Sequence, residues 1–438
     1  MAWVRRVDLV TGAVATPGAT VLDLEIVTAD PTDDQSEFGV QAIAPEPDFA
    51  VTGGVLIRYD LSRVSGRDTQ QGEFNHFSSP ALNVIDRFTW DPAANGGAGA
   101  LVFDRRLHAV PLNTRYHHGG PIEFGHDGAL FTSYGDLRNP GYLSTNNLGG
   151  FIDHAGTVVR LAPDGTPAPD NPFGLSHGAP PGTEAWFAYG TRNAFGLAVD
   201  PLTGDLWTTD NGEAIYDEVN RVPPASNLGW SRLMGSAGHP RQPDTTAGLV
   251  LVPASPASAY RDPAFAWFQT TGVTALQFLA GSALGPAWDD ALALGNFNTG
   301  FLFLFRLNDA RDGFRFTHPG LQDRVDDRVS FATNPIGTEA AEVLWARGLN
   351  PLFRGIVATC RGPDGLPYFL TAQGDVVRVR RACPVDVNAD GVLTPDDLAD
   401  VIAAYFAVPP PPIADIDASG VVDPDDLSDA IVMYFDGC

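Results

Sequence analysis

The chain contains no lysine: all 27 of its basic residues are arginine, set against 53 Asp and Glu. The formal net charge of -26 repels phosphate backbones and anionic headgroups, so neither nucleic acid nor a membrane surface is an expected partner. No run of about 18 apolar residues occurs, so no membrane span is expected either. The first residues, Met1-Ala-Trp-Val-Arg-Arg-Val7, lack the apolar stretch of a signal peptide. They read as the inside of a strand, and the natural start is expected to lie upstream. Cysteine is scarce, occurring only as Cys360, Cys383 and Cys438. Cys360 ends the apolar run from Gly355 and is expected to be a buried thiol.

What is present is a globular composition. With 44% hydrophobic and 18% charged residues, the 438-residue chain has enough apolar material for a sizeable core, which excludes wholesale disorder. Its 47 Gly and 36 Pro imply many turns and few long helices. Short β-rich runs alternate with Gly/Pro/Asn/Asp turns through residue 380 or so. Glu123-Phe-Gly-His-Asp-Gly128 precedes Ala129-Leu-Phe-Thr-Ser-Tyr134, and Asp200-Pro-Leu-Thr-Gly204 precedes Asp205-Leu-Trp-Thr-Thr-Asp210. Gly362-Pro-Asp-Gly365 joins two further runs. Each reads as strand, tight turn, strand. Repetition of that unit before aromatic strands favours a β-propeller over a sandwich, without fixing the blade number.

The composition changes at Cys383. The last 56 residues hold twelve Asp and no Arg, which marks a domain boundary and divides the chain into residues 1–380 and 383–438. This tail repeats itself. Asp386-Val-Asn-Ala-Asp-Gly391 and Asp415-Ile-Asp-Ala-Ser-Gly420 each lead into an amphipathic helix, with Pro409 to Pro412 between the copies. Calcium takes about six to eight oxygen ligands on a tight loop with glycine at its sixth position. The expected ligands are Asp386, Asn388, Asp390, the Val392 carbonyl and Asp397 in the first loop. In the second they are Asp415, Asp417, Ser419, the Val421 carbonyl and Asp426. The tail resembles a type I dockerin, which implies a calcium-binding helical module that meets a cohesin-like module on a scaffold or cell-surface protein. A Cys383–Cys438 disulfide would clasp such a module at its ends and requires an oxidising, extracytoplasmic compartment.

Three segments of the larger part carry chemistry. Tyr116-His117-His118-Gly119-Gly120 places imidazoles, which titrate near neutrality, at a glycine-rich turn. Tyr189-Gly190-Thr191-Arg192-Asn193 forms a compact donor cluster for a carboxylate or quinone oxygen. Asp210-Asn211-Gly212-Glu213 with Asp217-Glu218 offers oxygens to a hard cation. Their order, with Asp170-Asn-Pro-Phe173, Asp200 to Trp207 and Asn227 to Trp230, resembles the glucose/sorbosone dehydrogenase family across most of residues 3 to 380.

The resemblance implies a six-bladed propeller and a pyrroloquinoline quinone (PQQ) cofactor that accepts hydride from an aldose or related sugar. It implies His117 as the base, Arg192 and Asn193 against the quinone, and Gly212 with Glu213 holding calcium. It also implies Arg354 on a cofactor carboxylate and Trp267 in an aromatic wall. Asn298 stands where the family has a lysine, and Leu352 where it has an arginine. Two readings follow: a secreted sugar dehydrogenase, or a propeller without redox chemistry that binds carbohydrate or protein and is displayed through the dockerin.

Overall fold

The computed structural model describes residues 2–5, 20–24, 37, 39–62, 81–97, 99–112, 114, 116–284, 286–298, 300, 302–316, 319–326, 341–343, 355–379, 383, 385–387, 393–410, 414, 416 and 421–436. The described part is mainly β, and its contacts divide into two compact units. One comprises Met1–Arg361 with Tyr368–Val377, the other Gly362–Pro367 with Arg378–Cys438.

In the larger unit, strands follow one another as antiparallel ladders. The first sheet is Val40–Pro45, Gly54–Ser62, Ala81–Asp91 and Ala100–Leu112. The second runs through Ile122–Phe124, Leu130–Tyr134, Thr157–Leu161 and Trp186–Tyr189, with Ser226–Asn227 and Ala259–Tyr260 added in parallel. The third holds Gly196–Val199, Leu206–Asp210, Ile215–Arg221 and Phe265–Gln269, edged by Val325–Asp326. The fourth is Val273–Phe278, Ala291–Asn296, Leu302–Arg306 and Ala341–Val343, and the fifth begins with Ile356–Arg361. Ala2–Arg5 pairs separately with Thr20–Leu24.

The opening strand of each sheet lies beside the opening strand of the next, from Val40–Pro45 through to Ile356–Arg361. That succession is how propeller blades follow one another. The turns chosen from sequence make it possible. Gly128 takes φ 79° in the hairpin whose ladder pairs Phe124 with Leu130, a conformation that costs a residue with a Cβ. Between the sheets lie aromatic cores. Trp207, fully buried on the third sheet, meets Phe278 of the fourth at 6.2 Å between ring centroids.

Two expectations change. Cys360 is a free and exposed thiol, because the strand buries only its opening residue Ile356 and has left the core by Ala358. Trp267 is 4% exposed and packs against Phe265, Phe303 and Phe305 at 4.8, 5.5 and 5.7 Å. Its indole belongs to a hydrophobic core and presents no open face to a ligand.

In the smaller unit, helices Pro395–Tyr405 and Pro424–Asp436 pack around Val385, Val401, Ile416 and Ala430. Thr394 and Asp397 form a capping box, with the Thr394 N–H donating to Asp397 Oδ2 at 2.9 Å. Asp426 likewise accepts from the N–H groups of Ile416 and Asp423 at 2.6 and 2.8 Å. Asp386, Asp397 and Asp426 are buried, while Val421 is exposed. Cys383 is disulfide-bonded. Asn388, Asp390, Val392, Asp415, Asp417, Ser419 and Cys438 lie outside the described residues.

Candidate active site

The loop carrying His117 is shaped from beneath by Arg58. This arginine is wholly buried in the strand Gly54–Ser62. Its guanidinium donates to the carbonyls of His118, Gly120 and Ser133 at 2.5, 2.6 and 2.7 Å, and to Asn83 Oδ1 and Thr132 Oγ1 at 2.7 and 2.6 Å. The loop must approach its neighbour closely: a Cβ on Gly119 would stand 2.1 Å from the Ser133 carbonyl oxygen. His118, also buried, lies between Asp60 Oδ2 and the Thr114 carbonyl, each 3.1 Å from a ring nitrogen. Burial lowers its pKa, but Asp60 and Glu37 outweigh that and hold it above the ordinary histidine value. His118 therefore serves to hold the loop.

His117 differs. Its backbone is left-handed, with φ 61°, a conformation that costs about 1 kcal/mol or more outside glycine and is often found at functional sites. Its ring is partly open, at 12% side-chain exposure, and Nδ1 lies 2.6 Å from Asp136 Oδ1. Asp136 also accepts the Arg138 N–H at 2.7 Å and the Trp230 indole N–H at 2.8 Å. The carboxylate thus fixes the proton on Nδ1 and leaves the Nε2 lone pair available, the arrangement a general base requires.

Asp136 connects this pair to the second segment, since its N–H donates to the Arg192 carbonyl at 2.7 Å. The Arg192 guanidinium lies 5.5 Å from the centre of the Trp230 ring. Its Nη1 donates to the Asn211 and Gly212 carbonyls at 3.0 and 3.1 Å. Asn193 donates to Glu37 at 3.1 Å, while its Oδ1 is buried without a partner. Asp210 accepts the N–H groups of Arg192 and Asn193 at 2.9 and 2.7 Å. His117, Arg192, Asn193 and Gly212 thus meet in one network, with Asp136, Trp230, Glu37 and Asp210 as its joints.

The acidic segment does not form a side-chain metal cage. Glu213 is exposed, and Asp217 accepts the N–H groups of Gly212, Thr271 and Gly272. Among the described residues, no three His, Cys, Asp or Glu side chains converge as metal ligands. The Gly212 carbonyl retains a lone pair for calcium, but Arg192 is a cation on the same oxygen. Asn298 is exposed, and Arg354 and Leu352 lie outside the described residues. Cavities of about 500 and 300 Å³ lie elsewhere, the larger beside Asp289 and Arg311, the smaller beside Glu46 and Phe124.

Burial also stores protons here. It pushes Asp210 up to about 7 and Glu218, with help from nearby Asp210, up to about 8. Unfolding lets these groups release protons above the ordinary carboxylate range. Their stabilisation is therefore complete at low pH and is lost as pH rises toward 8. The urea-unfolding free energy of the parent, relative to Glu218→Gln, should fall by up to about 1.4 kcal/mol per unit across that window. Parallel profiles would contradict this.

Signals for the missed residues exist. Arg58 is a lone charge inside Val55-Leu-Ile-Arg-Tyr59, and Asp136 ends the run Leu130–Tyr134, whose residues are all buried.

Comparison with known proteins bears on this geometry. A profile of the glucose/sorbosone dehydrogenase family matches residues 18–329. The chain is 26% identical over 347 residues to the aldose sugar dehydrogenase YliI of Escherichia coli, covering 78% of this chain and 76% of that protein. It is 36% identical over 119 residues to the uncharacterized protein slr1608 of Synechocystis sp., 26% of this chain but only 28% of that protein. In three dimensions it resembles the PQQ-bound aldose sugar dehydrogenase of Streptomyces coelicolor, with a TM-score of 0.55 and 19% identity, covering 85% of this chain and 84% of that one. At that identity the likeness concerns the fold.

Proposed function

Because the chain belongs to the glucose/sorbosone dehydrogenase family, we propose that it is a secreted, PQQ-dependent dehydrogenase that oxidises an aldose or related sugar alcohol group. The observation that carries this reading is the partly open His117–Asp136 pair beside Arg192, Asn193 and Trp230. His117 Nε2 takes the proton of the sugar hydroxyl, and Asp136 stabilises the imidazolium that results. Arg192 is held in place by the Asn211 and Gly212 carbonyls, with guanidinium donors left over for an anionic ligand. The unpartnered Asn193 Oδ1 is a ready acceptor.

This donor set fits a flat anionic quinone, with Arg192, Asn193 and Trp230 as its holders and the Gly212 carbonyl as a calcium ligand. When bound, the quinone supplies a two-electron acceptor for hydride. The successive sheets are read as blades of a six-bladed propeller. The test is titration of the purified chain with PQQ and calcium, followed by dye reduction with a panel of aldoses. An absorbance shift and turnover are expected. Neither appearing with any sugar would leave a binding propeller instead.

The tail is read as a dockerin-like calcium module for a cohesin-like partner. Its buried Asp386, Asp397 and Asp426, in a segment with no basic residue, support a cation there. EDTA should melt both helices and calcium should restore them, read by circular dichroism. A spectrum indifferent to EDTA would count against two calcium loops.

A further inference from the structure

Where the first and second sheets meet, three aromatic polar side chains cluster, each with one buried polar atom that has no hydrogen-bond partner. His108 comes from the strand Ala100–Leu112, Tyr134 from Leu130–Tyr134, and His154 from the turn that leads into Thr157–Leu161. His108 Nε2, Tyr134 Oη and His154 Nδ1 are all buried, and none has a hydrogen-bond partner. Tyr134 as a whole is fully buried. Native interiors seldom leave such atoms unpaired, and here three of them belong to rings that cluster together, which points to a common occupant.

We infer that His108, His154 and Tyr134 form a binding site for a first-row transition-metal ion of the zinc class. The ring geometry supports this. A tetrahedral ion about 2 Å from each donor atom places two imidazole centres about 5 Å apart, and each about 6 Å from a phenol centre. The centroids are 4.9 Å apart for His108–His154, 6.0 Å for His108–Tyr134 and 6.3 Å for His154–Tyr134. Two imidazoles and one phenolate are donors that suit zinc or copper and are poor ligands for calcium. An open fourth position would take water.

The electrostatics agree with the donor roles. The Arg58 guanidinium lies 4.3 Å from the centre of the Tyr134 ring, a positive charge that favours the phenolate form. Asp153, which accepts the His154 N–H at 2.6 Å, and Glu184 lend negative charge toward His154. His108 and His154 are partly exposed as residues, although their unpaired nitrogens are buried. The inference is independent of the oxidoreductase reading and of the tail's calcium loops.

The full chain, stripped with EDTA and then saturated with calcium to fill the oxygen sites, should be titrated with cobalt(II) as the spectroscopic stand-in for zinc. One equivalent should give the intense visible bands of a four-coordinate ion, and zinc should displace it. Tyr134→Phe removes only the unpaired hydroxyl and should weaken cobalt binding at least tenfold without lowering the metal-free Tm. His154→Gln should weaken it at least a hundredfold. No such bands in the parent would mean that a buried water fills the site, and the inference would fall. Equal affinity in the parent and both variants would overturn it as well.

Discussion

Asp136→Asn should lower kcat for aldose oxidation by about 10²–10⁴-fold while leaving KM within a few-fold of the parent. The carboxylate now accepts from His117 Nδ1, from the Arg138 N–H and from the Trp230 indole at 2.6, 2.7 and 2.8 Å. An asparagine keeps the shape, but its amide can donate to Nδ1. The ring would then carry its proton on Nε2 and lose its lone pair for the substrate. Arg192 and Asn193, proposed to hold the quinone, are not altered, so binding should persist. Steady-state rates on quinone- and calcium-loaded enzyme check this. An unchanged kcat would show that His117 needs no orienting carboxylate.

The second large effect is on stability. Arg58→Met should cost about 3–5 kcal/mol, seen as a lower urea midpoint with an unchanged slope. The methionine fills part of the volume but takes the arginine donor from the His118, Gly120 and Ser133 carbonyls and from Asn83 Oδ1 inside a buried strand junction, where only Ser133 keeps a second donor in the Gly120 N–H. A charged hydrogen bond contributes more than a neutral one, and unmet acceptors add a desolvation cost. Because the His118 and Gly120 carbonyls belong to the loop that bears His117, the folded remainder should also be slower. A loss below about 1 kcal/mol would mean that the loop holds its shape without the arginine.

How much of this was legible in the sequence depends on whether each signal is local. Hairpins such as Phe124–Leu130 are written in the chain because an Asp-Gly turn specifies its own geometry, and Gly128 takes the positive φ it supplies. The segments that carry His117, Arg192, Asn193 and Gly212 could be picked out from residue type and order, and the structure gathers all four into one network. Arg58 could not be read so easily. An arginine in a strand is ordinarily solvent-facing, and its burial follows from carbonyls about sixty to seventy-five residues further on. Trp267 shows the converse error. The family resemblance placed it in an aromatic wall, but packing against Phe303 and Phe305 of the next sheet claims it for the core. The acids Asp210, Asp217 and Glu218 looked like cation ligands and instead receive backbone N–H groups of neighbouring loops. Sequence alone does not distinguish a carboxylate that caps peptides from one that binds metal.

The most direct measurement of the central claim is anaerobic single-turnover reduction of the quinone-loaded chain, followed by absorbance, in the parent and in His117→Gln. If one network both holds the quinone and deprotonates the sugar, the parent should be reduced stoichiometrically on adding an aldose. His117→Gln should bind the quinone comparably yet react at least about 10²-fold more slowly. Equal reduction rates in the two proteins, or a parent that does not take up the quinone, would contradict the account.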